Sequence, residues 1–320
     1  METILITWTS WFIWFHLAKK FLEKWNIKII WFDCENDYYD VNLKLARRKI
    51  LEKFDNFKFY LGNLAQKSDL EKVFEENKID KVCNLAAQAW VRYSIENPKA
   101  YIESNLVWFG NIIELAKNYK VKNFVYASSS SVYWANEKQP FSVEDKVDNP
   151  VSLYAATKKS NELIAHSYAH IFGLPCTGLR FFTVQWPYWR PDMAYFKFTK
   201  KIFNWESIDI YNHGKMQRDF TDIDDIVDWV IKSLNTISKY EIFNLWNDTP
   251  TKLEDMINLL EKYIWIEAKK NYIEMQDWDV KSTWADIEHT KKILNWQPKI
   301  KIEDTIKKFV EWYREFYNVK

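Results

Sequence analysis

The sequence predicts an α/β protein whose core is a doubly wound parallel sheet, accompanied by a smaller C-terminal lobe. Three observations support this prediction. Short apolar segments of strand length alternate with amphipathic helical segments through the first part of the chain. The first such segment leads through a short turn directly into a helix. From about residue 183 onward the alternation loosens into loops, short strands and isolated helices.

The predicted elements follow one another in a regular order. Strands are expected at residues 3–7, 28–32, 57–61, 81–85, 123–127 and 176–181. Helices are expected at 10–24, 68–77, 100–118 and 153–172, and in the later part at 253–263 and 302–316. We therefore predict one domain over residues 1–182 and a smaller lobe over 183–320, with some interleaving of segments.

Composition argues against several classes of protein. The chain has 45 basic and 44 acidic residues, a net charge of +1, so neither nucleic acid nor an anionic membrane is an expected partner. The longest apolar runs are of strand length, too short to span a bilayer, and no signal peptide is expected. Cys34, Cys83 and Cys176 are scattered, as is typical of a protein in a reducing cytoplasm.

No metal site is predicted from the histidines or cysteines. His166 and His170 are four residues apart on a predicted helix, which is a spacing that metal ligands use. No acidic or cysteine partner flanks them, so we interpret them as ordinary helix-surface residues.

Tryptophan and glycine occur in an abnormal ratio, with 18 tryptophans and 5 glycines, although glycine normally makes up about 7% of a chain. The first strand-to-helix turn, residues 7–14, reads Thr-Trp-Thr-Ser-Trp-Phe-Ile-Trp. With glycine in place of tryptophan, this turn resembles the Gly-x-x-Gly-x-x-Gly fingerprint of the extended short-chain dehydrogenases. That resemblance implies a Rossmann domain that binds NAD over residues 1–182 and a substrate-binding lobe after it.

The same replacement restores other segments that resemble this family, such as residues 85–94, 132–136 and 187–191. By this alignment fifteen tryptophans stand at glycine-like positions, namely 8, 11, 14, 25, 31, 90, 108, 134, 186, 189, 205, 229, 246, 265 and 278. Trp284, Trp296 and Trp312 are interpreted as genuine. The economical hypothesis is that the source organism reads UGA codons as glycine. The alternative is a real tryptophan-rich chain, whose indoles would fill the cofactor cleft and require positive φ.

A tyrosine and a lysine have the spacing of an acid/base pair. Tyr154 and Lys158 lie one turn apart on the predicted helix 153–172, where a lysine ammonium can favour the phenolate form. Ser129 precedes them at the end of a predicted strand. The resemblance implies that Ser129 hydrogen-bonds the reacting oxygen, that Tyr154 is the acid/base, and that Lys158 also holds the nicotinamide ribose.

Asp33 closes the second predicted strand, where a carboxylate can bind the adenosine ribose hydroxyls and repel a 2′-phosphate. This position favours NAD over NADP. Residues 62–64, Gly-Asn-Leu, resemble the family's Gly-Asp-Leu element near the adenine, with Asn63 in place of aspartate.

The resemblance is narrower than the superfamily, because residues 36–44, 86–89, 150–154, 180–184, 190–194 and 211–216 are similar to segments of UDP-glucuronate 4-epimerases. It implies further cofactor-binding residues, which are Trp8, Trp11, Phe12, Ile13, Trp14, Asn63, Leu64, Leu85, Ala86, Ala87, Asn105 and Phe181. It also implies substrate-binding residues, which are Gln88, Arg92, Ser129, Ser130, Thr183, Arg190 and Arg218. Gln185 and Asp222 depart from the family pattern, each replacing a tyrosine.

The expected function is therefore a cytoplasmic, homodimeric epimerase that inverts C4 of a UDP-uronate with bound NAD. Two other enzymes on the same scaffold remain open: a UDP-glucose-type 4-epimerase and a UDP-glucuronate decarboxylase. A non-catalytic nucleotide-binding protein remains open if the tryptophans at the glycine-like positions are real.

Overall fold

The computed structural model describes residues 1–7, 12–35, 41–89, 91–182, 184–185, 194–274 and 284–319. Its strands are β1 Glu2–Thr7, β2 Ile27–Asp33, β3 Phe57–Leu61, β4 Lys81–Asn84, β5 Asn123–Ser129, β6 Cys176–Phe181, β7 Val184–Gln185, β8 Ser207–Tyr211, β9 Gln217–Asp219, β10 Thr221–Asp222, β11 Tyr240–Leu245, β12 Pro250–Lys252 and β13 Lys269–Ile273. Its α-helices are α1 Phe12–Lys24, α2 Val41–Leu51, α3 Lys67–Glu76, α4 Val91–Glu96, α5 Pro98–Tyr101, α6 Trp108–Asn118, α7 Leu153–Phe172, α8 Ala194–Phe203, α9 Ile223–Asn235, α10 Leu253–Ile264, α11 Glu288–Leu294 and α12 Ile302–Tyr317.

Seven of these strands form one parallel sheet in the order β11-β6-β5-β4-β1-β2-β3. Consecutive residues of β1 alternate between its two faces, since Ile4 and Ile6 pack in one apolar core and Leu5 packs in the other. Helices α1, α2 and α9 cover the first face, and α3, α6 and α7 cover the second. The predicted doubly wound α/β class is confirmed.

The seventh strand of the sheet comes from late in the chain. β11 pairs in parallel with β6, from Tyr240 opposite Cys176 to Leu245 opposite Phe181. The other late segments form small strand pairs, such as β8 with β13, and helices α8, α10 and α12 pack beside them. The division at residue 183 remains a prediction.

One predicted helix differs from the structure. The segment expected as a single helix over residues 100–118 contains a π-helical turn, Ile102–Val107, between α5 and α6. The wider turn places Ser104 and Asn105 in the interior. Because π-turns are rare and concentrate at functional sites, the two side chains are candidates for a role at the sheet edge.

Within the described part of the chain, no helix is both long and apolar enough to cross a membrane.

Candidate active site

The candidate site lies at the carboxyl edge of the central sheet. The strand order reverses between β1 and β4, and ligands of doubly wound sheets bind in the crevice at such a point. Leu85, Ala86 and Ala87 leave β4 there and are buried. The Thr7 hydroxyl at the end of β1 donates to Asn84 Oδ1 at 2.7 Å and accepts from the Ala86 N–H at 3.3 Å, so it fixes both sides of the crevice.

Ser129 and Lys158 meet at the end of β5. Lys158 lies on α7 and is buried, and its Nζ donates to the Ala127 carbonyl at 2.8 Å, two residues before Ser129. Burial lowers the pKa of Lys158 to about 7. Ser129 Oγ accepts from the Ser131 hydroxyl at 3.0 Å and from the Ser131 N–H at 3.2 Å. The loop that leaves β5, including Ser130, is therefore held close to α7.

Tyr154 lies one turn before Lys158, near the start of α7. Ser152 caps this helix, its side chain accepting from the Ala155 N–H at 3.1 Å. The Tyr154 ring makes an edge-to-face contact with Tyr101, their centroids 6.1 Å apart. The Tyr101 hydroxyl in turn donates to the Ala89 carbonyl, beyond β4. The contact connects the predicted acid/base with the segment that follows β4.

Asn105, on the π-turn, joins the β4 loop to α7. Its Oδ1 accepts from the Gln88 N–H at 2.7 Å, and its Nδ2 donates to the Gln88 carbonyl at 3.1 Å and to Thr157 Oγ1 at 3.0 Å. Gln88 is buried, and its Nε2 has no hydrogen-bond partner among the described residues. An unpaired buried amide costs free energy, which a ligand acceptor at this position would recover.

The residues predicted to bind the adenosine part of NAD lie at the carboxyl ends of β2 and β3. Asp33 is buried, and its Oδ1 accepts from the Glu35 N–H at 2.7 Å. Asn63 has a local role, because its Oδ1 accepts from the Ala65 N–H at 2.9 Å. The Leu64 carbonyl accepts from Asn111 Nδ2 at 2.9 Å. This part of the edge is thus ordered by its own hydrogen bonds.

Several tryptophans at glycine-like positions have unfavourable surroundings or an unfavourable backbone conformation in the structure. Trp14 is buried against Phe181, at the end of β6, with ring centroids 6.1 Å apart, and it follows Ile13 in the core. Among the described residues, buried indole nitrogens without a hydrogen-bond partner occur at five of the glycine-like positions, namely Trp14, Trp31, Trp134, Trp229 and Trp246. Trp205 and Trp265 have φ of 59° and 61°, which confirms the predicted positive φ at these two positions.

Some predicted site residues cannot be located. Trp8, Trp11, Thr183 and Arg190 lie outside the described residues, as do the side chains of Phe12, Arg92, Gln185 and Arg218.

Comparison with known proteins decides the family. A model of the family described as GDP-mannose 4,6 dehydratase matches residues 5–309 of this chain. The chain belongs to the GDP-mannose 4,6-dehydratase family.

Members of this family resemble the chain over its whole length. Protein CapI of Staphylococcus aureus is 46% identical, covering 98% of this chain and 99% of its own. The UDP-glucuronate 4-epimerase of Thermodesulfobacterium geofontis is 43% identical, covering 98% and 97% respectively. The crystal structure of UDP-glucuronic acid 4-epimerase from Bacillus cereus, in complex with UDP-glucuronic acid and NAD, superposes with a TM-score of 0.91 at 30% identity, over 99% of this chain and 100% of that one.

Sequence reasoning missed a buried polar network behind the family's Ser-Tyr-Lys group. Arg180 on β6 donates to both Glu162 oxygens, at 2.8 and 2.9 Å, and also to the Tyr133 hydroxyl. Ser128 Oγ donates to Glu162 Oε1 at 2.6 Å. Burial raises the pKa of Glu162, but the bonds and charge of Arg180 outweigh it and hold this pKa below its usual range. The sequence did contain an indication of this network, because Glu162 lies one turn after Lys158 on the same predicted helix.

Asp222, which replaces the family's tyrosine, has a structural explanation. Its Oδ1 caps α9 by accepting from the Asp224 N–H at 2.8 Å, and its Oδ2 accepts from Thr305 Oγ1 at 2.7 Å. Burial raises the pKa of Asp222 to about 7. The side chain therefore joins α9 to α12.

Proposed function

We propose that this protein is a UDP-glucuronate 4-epimerase, which interconverts UDP-glucuronate and UDP-galacturonate with bound NAD. The full-length similarity to relatives that carry this name supports the proposal more than any other observation. Lys158 is buried against the end of β5 that bears Ser129, at the carboxyl edge of the sheet, and these residue types suit the proposed proton transfer.

The residues at the sheet edge fit NAD. Asp33 offers a carboxylate for the adenosine ribose, and Lys158 offers a buried amine for the nicotinamide ribose. Gln88 has a buried amide nitrogen without a hydrogen-bond partner among the described residues, and this group suits an oxygen of the sugar substrate. NAD, when bound, accepts the hydrogen of C4 as hydride and returns it.

In the reaction, Tyr154 takes the proton of the 4-hydroxyl and later gives it back, because a phenol next to a lysine can serve as both base and acid. Ser129 Oγ hydrogen-bonds the same oxygen. Lys158 lies one turn after Tyr154, and its ammonium form favours the Tyr154 phenolate, although burial lowers the pKa of Lys158 to about 7 in the nucleotide-free fold. Inversion at C4 would require the sugar to turn in the site between these two proton transfers.

The remaining substrate contacts follow from the family resemblance. Arg218 is assigned to the UDP phosphates and Arg190 to the sugar carboxylate, because a guanidinium fork matches both groups. Arg92, Ser130 and Thr183 complete the proposed substrate site.

We further infer that the natural protein has glycine at the fifteen glycine-like positions given above. A nucleotide-binding turn needs a close backbone approach to the pyrophosphate, which Trp8 and Trp11 would prevent. The unpaired buried indole nitrogens and the positive φ of Trp205 and Trp265 support the same inference. The intact mass of protein purified from its source organism tests it; a mass that requires tryptophan at these positions would contradict it.

We propose that this protein is cytoplasmic and forms a homodimer. Free cysteines suit a reducing compartment. The dimer is supported by apolar side chains exposed on the helical layer formed by the π-turn and α7, which are Ile102, Val107, Leu163, Ile171 and Phe172. A second copy of this surface would cover them. We also propose that residues 1–182 bind NAD and that most of 183–320 shapes the substrate pocket.

Product analysis tests the function. The glycine-bearing protein is incubated with UDP-glucuronate, and the nucleotide sugars are separated and identified by mass and NMR. We expect UDP-galacturonate of unchanged mass, with no added NAD required. A UDP-pentose as the main product would instead identify a decarboxylase, and turnover of UDP-glucose alone would identify a UDP-glucose-type epimerase. Inactivity toward both UDP-glucuronate and UDP-glucose would contradict the proposal.

A further inference from the structure

The end of β2 carries a second carboxylate beside Asp33. Glu35 follows two residues later, with its N–H bound to Asp33 Oδ1 at 2.7 Å and its backbone in the left-handed region at φ 46°. A non-glycine residue with positive φ is uncommon and requires compensating contacts. The side chain of Glu35 is only 14% exposed, so it too lies partly within the fold beside Asp33.

Glu35 holds an arginine from the neighbouring helix. Arg48, on α2, places its NH1 at 2.7 Å from Glu35 Oε2, and its guanidinium lies over the Phe59 ring at 4.8 Å. Arg48 also pairs with Glu52 at 3.2 Å, on the more exposed side. The planar guanidinium is thus oriented by three groups, close to the strand end where Asp33 lies.

The local electrostatics of this arrangement are unfavourable. Burial and, to a smaller extent, the charge of Asp33 raise the pKa of Glu35, and the charge and hydrogen bond of Arg48 oppose them. Glu35 Oε1 is buried without a hydrogen-bond partner among the described residues. A stabilising role alone does not explain a partly unsatisfied carboxylate next to another carboxylate.

We propose that Glu35 is a cofactor-specificity residue that keeps Arg48 in an ion pair and thereby withholds it from the 2′-phosphate of NADP. This inference rests on the proposed binding of NAD, with Asp33 at the adenosine ribose. An arginine near the end of the second strand is the group that accommodates a 2′-phosphate, and a guanidinium binds phosphate through two parallel hydrogen bonds. Arg48 is such an arginine, but one of its guanidinium nitrogens already pairs with Glu35 at 2.7 Å and another with Glu52 at 3.2 Å.

The inference distinguishes two ways in which a carboxylate can exclude NADP. Asp33 acts by direct repulsion and by favouring the ribose hydroxyls. Glu35 acts through Arg48, so its effect must depend on whether Arg48 is present. A double-mutant cycle measures that dependence.

The experiment measures competition between NADP and NAD for the glycine-bearing protein. Protein is equilibrated with both nucleotides, and the retained nucleotides are quantified by chromatography, which yields the ratio of the two Kd values. Glu35→Gln keeps the shape of the side chain and removes its charge. We expect it to shift the ratio toward NADP by about tenfold or more, as one new charge-assisted phosphate contact would. Glu35→Gln combined with Arg48→Met should lose most of that shift.

Glu52→Gln is the matched control, because it removes a carboxylate from the same guanidinium on its exposed side and should leave the ratio within about twofold of the parent. An unchanged ratio in Glu35→Gln, with NAD retained, would overturn this inference alone. A shift that persists in full without Arg48 would also overturn it, since Glu35 would then act only by its own charge. Retention of neither nucleotide by the parent would overturn the proposed function as well.

Discussion

Replacing Arg180 by methionine should destabilise the fold severely. Arg180 and Glu162 are 3% and 2% exposed, and two charge-assisted hydrogen bonds of 2.8 and 2.9 Å connect them. The substitution leaves the Glu162 carboxylate buried with Ser128 as its close hydrogen-bond donor. Breaking a buried pair on one side costs about 3–5 kcal/mol, and the lost cation–π contact of Arg180 with Tyr133, at 4.7 Å, adds to it.

Urea unfolding at pH 7 provides the measurement, and Lys262→Met is the control. Lys262 pairs with Glu303 at 2.7 Å on the surface, where solvent screens the pair, so its loss should cost far less stability than the loss of Arg180. Arg180→Met combined with Glu162→Leu removes both charges and should cost less than Arg180→Met alone.

The pH dependence provides a second test of the same reasoning. The pKa of Glu162 is lowered in the folded protein, so its contribution is complete above its ordinary pKa of 4.5 and is lost as the pH falls through the folded value. Without Arg180 the buried carboxyl protonates more readily, and the gap between the parent and Arg180→Met should shrink toward pH 4. A cost of Arg180→Met at pH 7 no larger than that of the Lys262→Met control would refute the argument.

Three further outcomes are expected. Tyr154→Phe should reduce epimerase turnover by about a hundredfold or more, because it removes the proton-transfer group, and near-normal turnover would mean that the acid/base is misassigned. The folded pKa of Lys158 is lowered from 10.5 to about 7, so nucleotide-free protein should gain stability as pH rises through that window; unfolding midpoints of Lys158→Met should lack this gain. Arg190→Ala should weaken UDP-glucuronate binding and release some UDP-pentose, detected by mass, since the 4-keto acid loses carbon dioxide when its carboxylate is not held in an unreactive orientation.

The sheet was predictable from sequence because its central strands, such as β1 and β5, are buried on both faces and read as largely apolar runs. The predicted strands 57–61 and 176–181 match β3 and β6, and the other four differ at their ends by at most two residues. β11 was not predicted, although Tyr240–Leu245 has strand composition, because it follows a stretch without regular alternation. Helix α2 was missed for a related reason, since its buried side chains include Lys44 and Arg47 and obscure the apolar period.

The candidate site was predictable where a motif specified it and not where packing specified it. Ser129 and Lys158 were expected together, and the structure bonds Lys158 Nζ, from α7, to the Ala127 carbonyl of the strand that ends at Ser129. The hydrogen bonds between Asn105 and Gln88 depend on a π-turn, which the spacing of apolar residues in the sequence does not predict. The ion pair of Glu162 with Arg180 joins residues on different elements, so only the assembled fold shows it.

The position of β11 at one border of the sheet has a consequence for synthesis on the ribosome. While residues up to Phe181 are emerging, β6 presents an unpaired row of backbone groups, and only the later arrival of Tyr240–Leu245 covers it. A protein fragment that ends at residue 182 would leave the backbone groups of β6 unpaired. Its exposed strand edge would then be prone to pair with other copies of the fragment. The first 182 residues should therefore complete their sheet only after β11 has been synthesised, and expression of these residues alone should yield aggregates.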